Sequence, residues 1–379
     1  MPPAWPRAGL KTVWKAPVGG GYAGLAVAEG RLYSQDKVME PAEQERVLCL
    51  SAENGEVLWQ QAYDVRYGKL DYGVGPRATP TVFDGRVYTL GAVGHVHCLD
   101  ARSGEVLWKH DLVRDLGAQL SEWGLAASPV IWRDLVIFHP GLKQGGCFVA
   151  FDRRSGREAW RCGDDPAGYC TPILTGESGK EQLIAWTPEH VMGMDPGSGR
   201  LHWSVPYKVT YGVSIATPVV HRGVAFVSGY WEGSKAIRLG EDPADASLLW
   251  EDSDLQGIMC QPLARDGYLY TLDKDRGLLC CEIETGRVLW SDDHQMTPRG
   301  RNPHAVLQWL GKSERAIILN AEGDLILARL TPDGYDEQSR TNIVQPSPAP
   351  IWAHPAFAGD SVYARNDREI VRVRLLADE

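Results

Sequence analysis

The chain has 379 residues, 44% of them hydrophobic and 23% charged, and its 39 Lys and Arg against 49 Asp and Glu leave a net charge of −10. That composition can bury a large core and excludes disorder. It offers no basic run as an electrostatic footprint for nucleic acid, and no apolar stretch of ~18 residues that would cross a membrane as a helix.

The opening Met1-Pro2-Pro3-Ala4-Trp5-Pro6 lacks a basic-then-apolar leader. The chain is therefore either cytoplasmic as written or the product of leader removal. Residues 11–18 read as one lone strand carrying Trp14. From residue 20 onward a single pattern recurs. An Ala/Thr/Ser-Pro step opens each unit, as in Ala78-Thr79-Pro80 and Ala127-Ser128-Pro129. A short apolar run, a Gly or Asp turn and a second strand follow. After a variable loop comes a third strand, and a Ser-Gly or Thr-Gly turn leads into a fourth that ends in Trp. The clearest copies of this last phrase span 49–59, 98–108 and 280–290. Copies ending at Trp160 and Trp203 are looser, and Trp14 and Trp250 keep only the tail. From Trp14 the spacings are 45, 49, 52, 43, 47 and 40 residues, and a period in the forties with strand-like content indicates propeller blades.

Four-strand sets are expected at 20–62, 77–111, 126–163, 169–206, 214–252, 258–292 and 303–338. Three further strands at 352–375 lack a fourth, which residues 11–18 supply. The expected fold is an all-β, eight-bladed propeller of antiparallel four-stranded blades, closed by its N-terminal strand and filling the chain as one domain. The repeated tryptophans are expected to wedge between blades. Burying each ring removes roughly 200 Å2 from water, or several kcal/mol at ~25 cal/mol per Å2.

Cys49, Cys98 and Cys280 share one repeat position and read as small buried apolar side chains. Pairing of Cys162 with Cys170 stays open. Cys280 and Cys281 lie within one strand, where neighbouring side chains point to opposite faces, so a disulfide between them is not expected. His95 and His97 share a strand face, but no further ligands follow at metal-binding spacing.

The phrase from Leu99 to Trp108 resembles the quinoprotein-type, or PQQ-like, propeller repeat (PQQ is pyrroloquinoline quinone), and the resemblance extends over residues 10–375. It implies an eight-bladed propeller. It also implies two kinds of function: quinone-dependent alcohol and sugar dehydrogenases, and non-enzymatic scaffolds such as the lipoprotein of the outer-membrane barrel-assembly machinery. Short bacterial members of this type are usually exported, which implies a periplasmic or extracellular location if a leader was removed.

Function is expected in the residues that depart from the repeat. The loops between blades supply Tyr22, Tyr72, Arg77, Glu122, Trp123, Tyr169, Tyr211, Gln261, Arg299, Arg301, His304 and His354. The loops between second and third strands supply Gln35, Asp36, Lys37, His139, Tyr230, Trp231, Asp273, Lys274 and Asn366. Aromatics with a few Arg and His around a funnel suit a sugar, a planar cofactor or a peptide loop. The alternative is that they fill the channel. The resemblance implies that a quinoprotein would hold PQQ and calcium, with an Asp as base and a Trp on the cofactor. Hard cations need several converging oxygens, for which Asp36, Asp273, Asn302 and Asn366 are the candidates. Three readings follow. The first is a non-catalytic binding propeller, expected to be a monomer without a cofactor, taking a protein or carbohydrate ligand. The second is a minimal quinoprotein oxidoreductase acting on an alcohol or sugar. The third is a sugar-active lyase or hydrolase using His139, His304 or His354.

Overall fold

The computed structural model describes residues 4–6, 9–142, 144–347 and 349–376. It contains eight four-stranded antiparallel sheets set as the blades of a propeller. The second blade shows why the sequence folds this way. Its strands are Thr81–Phe83, Arg86–Leu90, His95–Asp100 and Val106–Asp111. Asp84 (φ 51°) and Gly85 (φ 69°) form the first two-residue turn, the mirror-image type whose twist matches the strands. Asp100 then accepts the N–H groups of Arg102 and Ser103 at 3.0 and 2.7 Å, which folds the chain back into the fourth strand. The eighth blade contains Ala356–Ala358, Ser361–Arg365 and Glu369–Arg374, and Lys11–Pro17 pairs antiparallel along its outer edge. The two ends of the chain therefore share one sheet, and the ring has no gap.

A feature absent from the sequence reading aims the tryptophans. In every blade the outer strand slips by one residue against its neighbour, as where Cys98 pairs with Trp108 but Leu99 pairs with Val106. The bulged residue is the one just before the Trp. The same slip occurs before Trp14, Trp59, Trp160, Trp203, Trp250 and Trp290, and at the equivalent Ser339. Without a bulge, residues two apart face the same way. With one, the Trp turns to the opposite face from the Val and meets the next blade. There the indole N–H of Trp14, Trp59, Trp108, Trp250 and Trp290 donates to a carbonyl of the following blade, at 2.9–3.2 Å. Trp203 differs. The following blade lacks the turn phrase, and this indole bonds Gln182 of its own sheet at 2.9 Å.

The repeated turn glycine has a second role besides its positive φ. A Cβ on Gly104 (φ 75°) would lie 2.6 Å from the Trp59 ring, and Gly55, Gly156, Gly199 and Gly286 face the preceding blade's Trp in the same way. Gly85, also left-handed, has open space around its missing Cβ. Gly85→Ala is therefore expected to cost only the backbone strain, about 1 kcal/mol. Gly104→Ala adds overpacking of about 1–3 kcal/mol. Chemical denaturation of the two variants checks the difference, and equal costs would contradict a ring-on-glycine seam.

The core lies between blades, in separate clusters, rather than at one centre. Cys280 packs with Ile258, Leu307 and Ile318 on one side of its blade. Cys281 packs with Phe226, Leu269 and Leu279 on the other. Both are free thiols, as the strand geometry requires. Cys162 and Cys170 are also free: Cys162 lies 3.8 Å from the Met194 sulfur, and Cys170 donates to the Trp186 carbonyl at 3.2 Å. His95 and His97 stack on Tyr63 of the neighbouring blade, with centroids 5.2 and 4.4 Å away.

Candidate functional site

Around the channel, the residues just before each blade's proline are stitched together. Thr79 Oγ1 accepts the Gly24 N–H at 3.1 Å, Ser128 Oγ accepts that of Thr79 at 3.0 Å, and Thr171 Oγ1 accepts that of Ser128 at 2.9 Å. The repeated Thr/Ser-Pro step thus links successive blades at the axis. Above it opens a cavity of about 530 Å3 whose wall includes Thr79, Ser128, Thr171 and Thr217, within the range of small-molecule sites.

All eight blade-to-blade connections reach this cavity. Tyr22, Tyr72, Arg77, Trp123, Tyr169, Gln261, Arg301, Asn302, His304 and His354 line it, with Tyr230 and Trp231 from the second loop of the fifth blade. Trp352, which the sequence reading did not single out, lines it too and joins the aromatics into an arc. Its ring lies 5.2 Å from Tyr22 and 5.4 Å from Tyr72, and Trp123 lies 6.1 Å from Tyr72 and 5.0 Å from Tyr169. Trp352 stands in a connection and outside the Trp repeat, and that irregularity was the available signal.

The remaining candidates lie elsewhere. Asp36 is buried, accepting the Gly19 N–H at 2.6 Å and Arg46 at 2.9 and 2.6 Å. Lys37 donates to the Gly73 carbonyl and covers Tyr67. Asp273 accepts the N–H groups of Gln256, Asp275 and Arg276, and Lys274 bonds Gln256. Gln35 ties to the Ala78 carbonyl, and Asn366 caps its own hairpin through Arg368 and Glu369. His139 is buried, stacked on Phe148 at 4.2 Å and 3.4 Å from the Cys147 sulfur. Arg299 is exposed and paired with Asp293. Tyr211 stands 71% exposed at the rim against Trp231. The polar groups of this set are engaged by their own hairpins or by the backbone of adjoining connections, and of the set only Tyr230 and Trp231 line the cavity.

The cavity wall contains two arginines and two histidines but no Asp or Glu. Arg77 donates to the carbonyls of Asp71, Tyr72 and Gly75, holding the loop that carries Tyr72, and burial lowers its pKa. His304 contacts the Met259 carbonyl through Nδ1 at 2.6 Å. A carbonyl only accepts, so Nδ1 carries the proton. Burial first, then the neighbouring His354, lowers the pKa of His304 to about 3, and such a ring is too weak a base to take a proton near neutrality. The Nε2 of His304 and the indole N–H groups of Trp123 and Trp352 are buried at the cavity without protein partners, as are several groups elsewhere in the ring, among them the Trp160 indole N–H.

The sequence matches the protein family described as outer membrane protein assembly factor BamB, over residues 43–292 and again over 188–375. The chain belongs to that PQQ-like propeller family. No curated protein matches it in sequence. Among solved structures it is similar to BamB from Moraxella catarrhalis, at 16% identity and a TM-score of 0.68, covering 96% of this chain and 99% of that one. It is also similar to the quinohemoprotein alcohol dehydrogenase of Comamonas testosteroni, at 12% identity and a TM-score of 0.63, covering 97% and 76%. A europium-containing methanol dehydrogenase gives 12% identity and a TM-score of 0.65, covering 94% and 84%. At these identities the likeness establishes the fold. Of the oxygens proposed for calcium, only Asn302 lines the cavity; Asp36 is engaged by Gly19 and Arg46, and Asp273 and Asn366 accept N–H groups of their own hairpins. Among the described residues no group of three or more His, Cys, Asp or Glu converges. The cavity's donor set does not fit a calcium-bound quinone.

Proposed function

We propose that this protein is a non-catalytic binding propeller that takes a protein segment or a glycan into its funnel. The observation that carries this reading is the wall of the cavity, an arc of aromatic rings with cations and no carboxylate. Flat apolar faces interspersed with a few polar groups bind and orient a ligand. Glycoside hydrolysis in its usual form calls for a pair of carboxylates, and calcium calls for several oxygen ligands. Membership of a family described as an assembly factor supports a binding role. Against the lyase or hydrolase reading, His304 is a weak base with its pKa lowered to about 3, and His139 does not line the cavity.

The test is a thermal-shift and tryptophan-fluorescence screen with neutral and acidic oligosaccharides, and with PQQ plus calcium in a parallel arm. A saccharide is expected to raise the unfolding midpoint. Trp352→Ala is expected to weaken that ligand at least ~10-fold, the scale of one lost aromatic stacking contact, while the free variant stays folded. Micromolar PQQ binding that depends on calcium, with oxidation of an alcohol, would overturn the proposal.

A further inference from the structure

At the rim of the funnel, backbone strain is spent on side chains that stay outside the core. Apart from Asp293 and His294, and the hairpin positions exemplified by Asp84, the described non-glycine residues with positive φ are Tyr72 (50°) and Tyr211 (54°). Each opens a Tyr-Gly step at the funnel. Tyr211 and Gly212 (φ 67°) form a left-handed pair like that of Asp84 and Gly85, but in a blade-to-blade connection rather than a hairpin, and the turn presents the Tyr211 ring 71% exposed.

Its turn is held by the Thr210 N–H on Glu232 at 2.8 Å, and the ring meets Trp231 edge-on at 5.7 Å and 66°. Trp231, itself 42% exposed, meets Tyr230 at 4.5 Å and 62°. The three rings make an open corner rather than a parallel slot. A planar cofactor fills a slot. A corner suits a puckered ring, which lays its C–H face on one aromatic and its edge on the next. The Tyr230 hydroxyl donates to the Arg301 carbonyl, which fixes the arginine beside this corner. The Arg301 side chain is exposed, lines the cavity, and has no carboxylate or carbonyl partner among the described residues, unlike Arg299 on Asp293 at 2.8 Å. The N–H groups of Gly212, Val213 and Ser214 are satisfied inside the turn, so no free ladder awaits an extended peptide.

We propose that this corner is a subsite for an acidic pyranose, with Trp231 and Tyr211 as the stacking platform and Arg301 as the hook for the sugar carboxylate. The proposal rests on the funnel-binding reading and narrows its ligand to an acidic oligosaccharide. A guanidinium meets a carboxylate through two parallel hydrogen bonds; no Asp or Glu lines the cavity beside it, and at the corner Glu232 is engaged by the Thr210 N–H.

The probe is a trigalacturonate, titrated by tryptophan fluorescence against its methyl ester and a neutral trisaccharide. The free acid is expected to bind at least ~10-fold more tightly than the ester and to weaken with salt, as an exposed charge pair does. Arg301→Gln is expected to reduce acid binding ~10- to 100-fold, the range of a lost charge-assisted pair, with the free protein's melting midpoint unchanged. Trp231→Ala is expected to weaken acid and ester alike. Equal binding of acid and ester, or an unaffected Arg301→Gln, overturns the acidic subsite while leaving funnel binding intact. The same holds if only the neutral sugar binds and Trp352→Ala abolishes it. Failure of all three saccharides overturns the subsite, and it overturns the broader reading as well only if Trp352→Ala also leaves every other ligand of the protein untouched.

Discussion

Deleting residues 1–18 is expected to lower the thermal unfolding midpoint by about 10 °C or more, or to prevent folding. The deletion removes the Lys11–Pro17 strand from its pairing with Glu369–Arg374, and with it the Trp14 ring from its place on Gly55 of the first blade. Burial of one such ring is worth about 5 kcal/mol, and the lost strand adds to that in a molecule whose whole stability is of order 5–15 kcal/mol. A chain of this length moves roughly 1 °C per kcal/mol on the usual scaling of unfolding entropy. The seam is densely made. The Ala52 carbonyl accepts from Trp14 at 3.2 Å, Tyr363 at 3.0 Å and Arg372 at 3.3 Å, so both chain ends meet on one atom of the first blade. Trp14→Ala, which keeps the strand, is expected to cost about 3–5 kcal/mol. Differential scanning calorimetry distinguishes the two, and an unchanged midpoint in the deletion would mean that the ring does not close here.

Much of this architecture is visible in the sequence because a repeat multiplies weak signals. One Ser-Gly-Glu-Val-Leu-Trp phrase is ambiguous, whereas its recurrence every forty to fifty residues fixes strand order and inter-blade register together. The bulge before each Trp was not legible, since Val-Leu-Trp reads equally as an unbroken strand and only the pairing partner reveals the slip. For the funnel, residues such as Tyr22, Trp123 and His304 were recognisable because they occupy the connections that open on the axis. Asp36 and Asp273 look the same in sequence, but their carboxylates cap buried backbone N–H groups. A carboxylate's partner, whether a turn amide or a ligand, is a matter of three-dimensional geometry. Trp352 sits in a loop outside the regular tryptophan spacing and joins the arc through ring contacts with Tyr22 and Tyr72 that no spacing encodes.

Acidification is expected to unfold the propeller in the interval between pH 6.5 and about 4, beginning above ordinary carboxylate titration. His97 and His139 have their pKa lowered to about 4 and His304 to about 3, chiefly by burial. His95 and Lys109 add like charge near His97, and His354 does so near His304, whereas Asp165 partly offsets the burial of His139. In the unfolded chain these rings titrate near 6.5. Below that pH the unfolded state binds protons that the folded state refuses, so stability falls as pH drops, until the folded pKa values are reached. At ~1.4 kcal/mol per pKa unit, each ring forfeits roughly 3 kcal/mol, and three together rival the total stability of a domain. Asp100 and Asp152, held low by turn hydrogen bonds, lose their contribution only at lower pH. Asp292, raised by burial, acts in the opposite sense as a single group. The measurement is the unfolding midpoint against pH. His221 and His354, also lowered chiefly by burial, add to the same trend. His97→Gln, His139→Gln and His304→Gln are therefore each expected to flatten its slope between pH 6.5 and 4.5 by about a fifth to a third, whatever each does to stability at pH 8. A slope that none of the three alters would place the acid sensitivity in groups other than these rings.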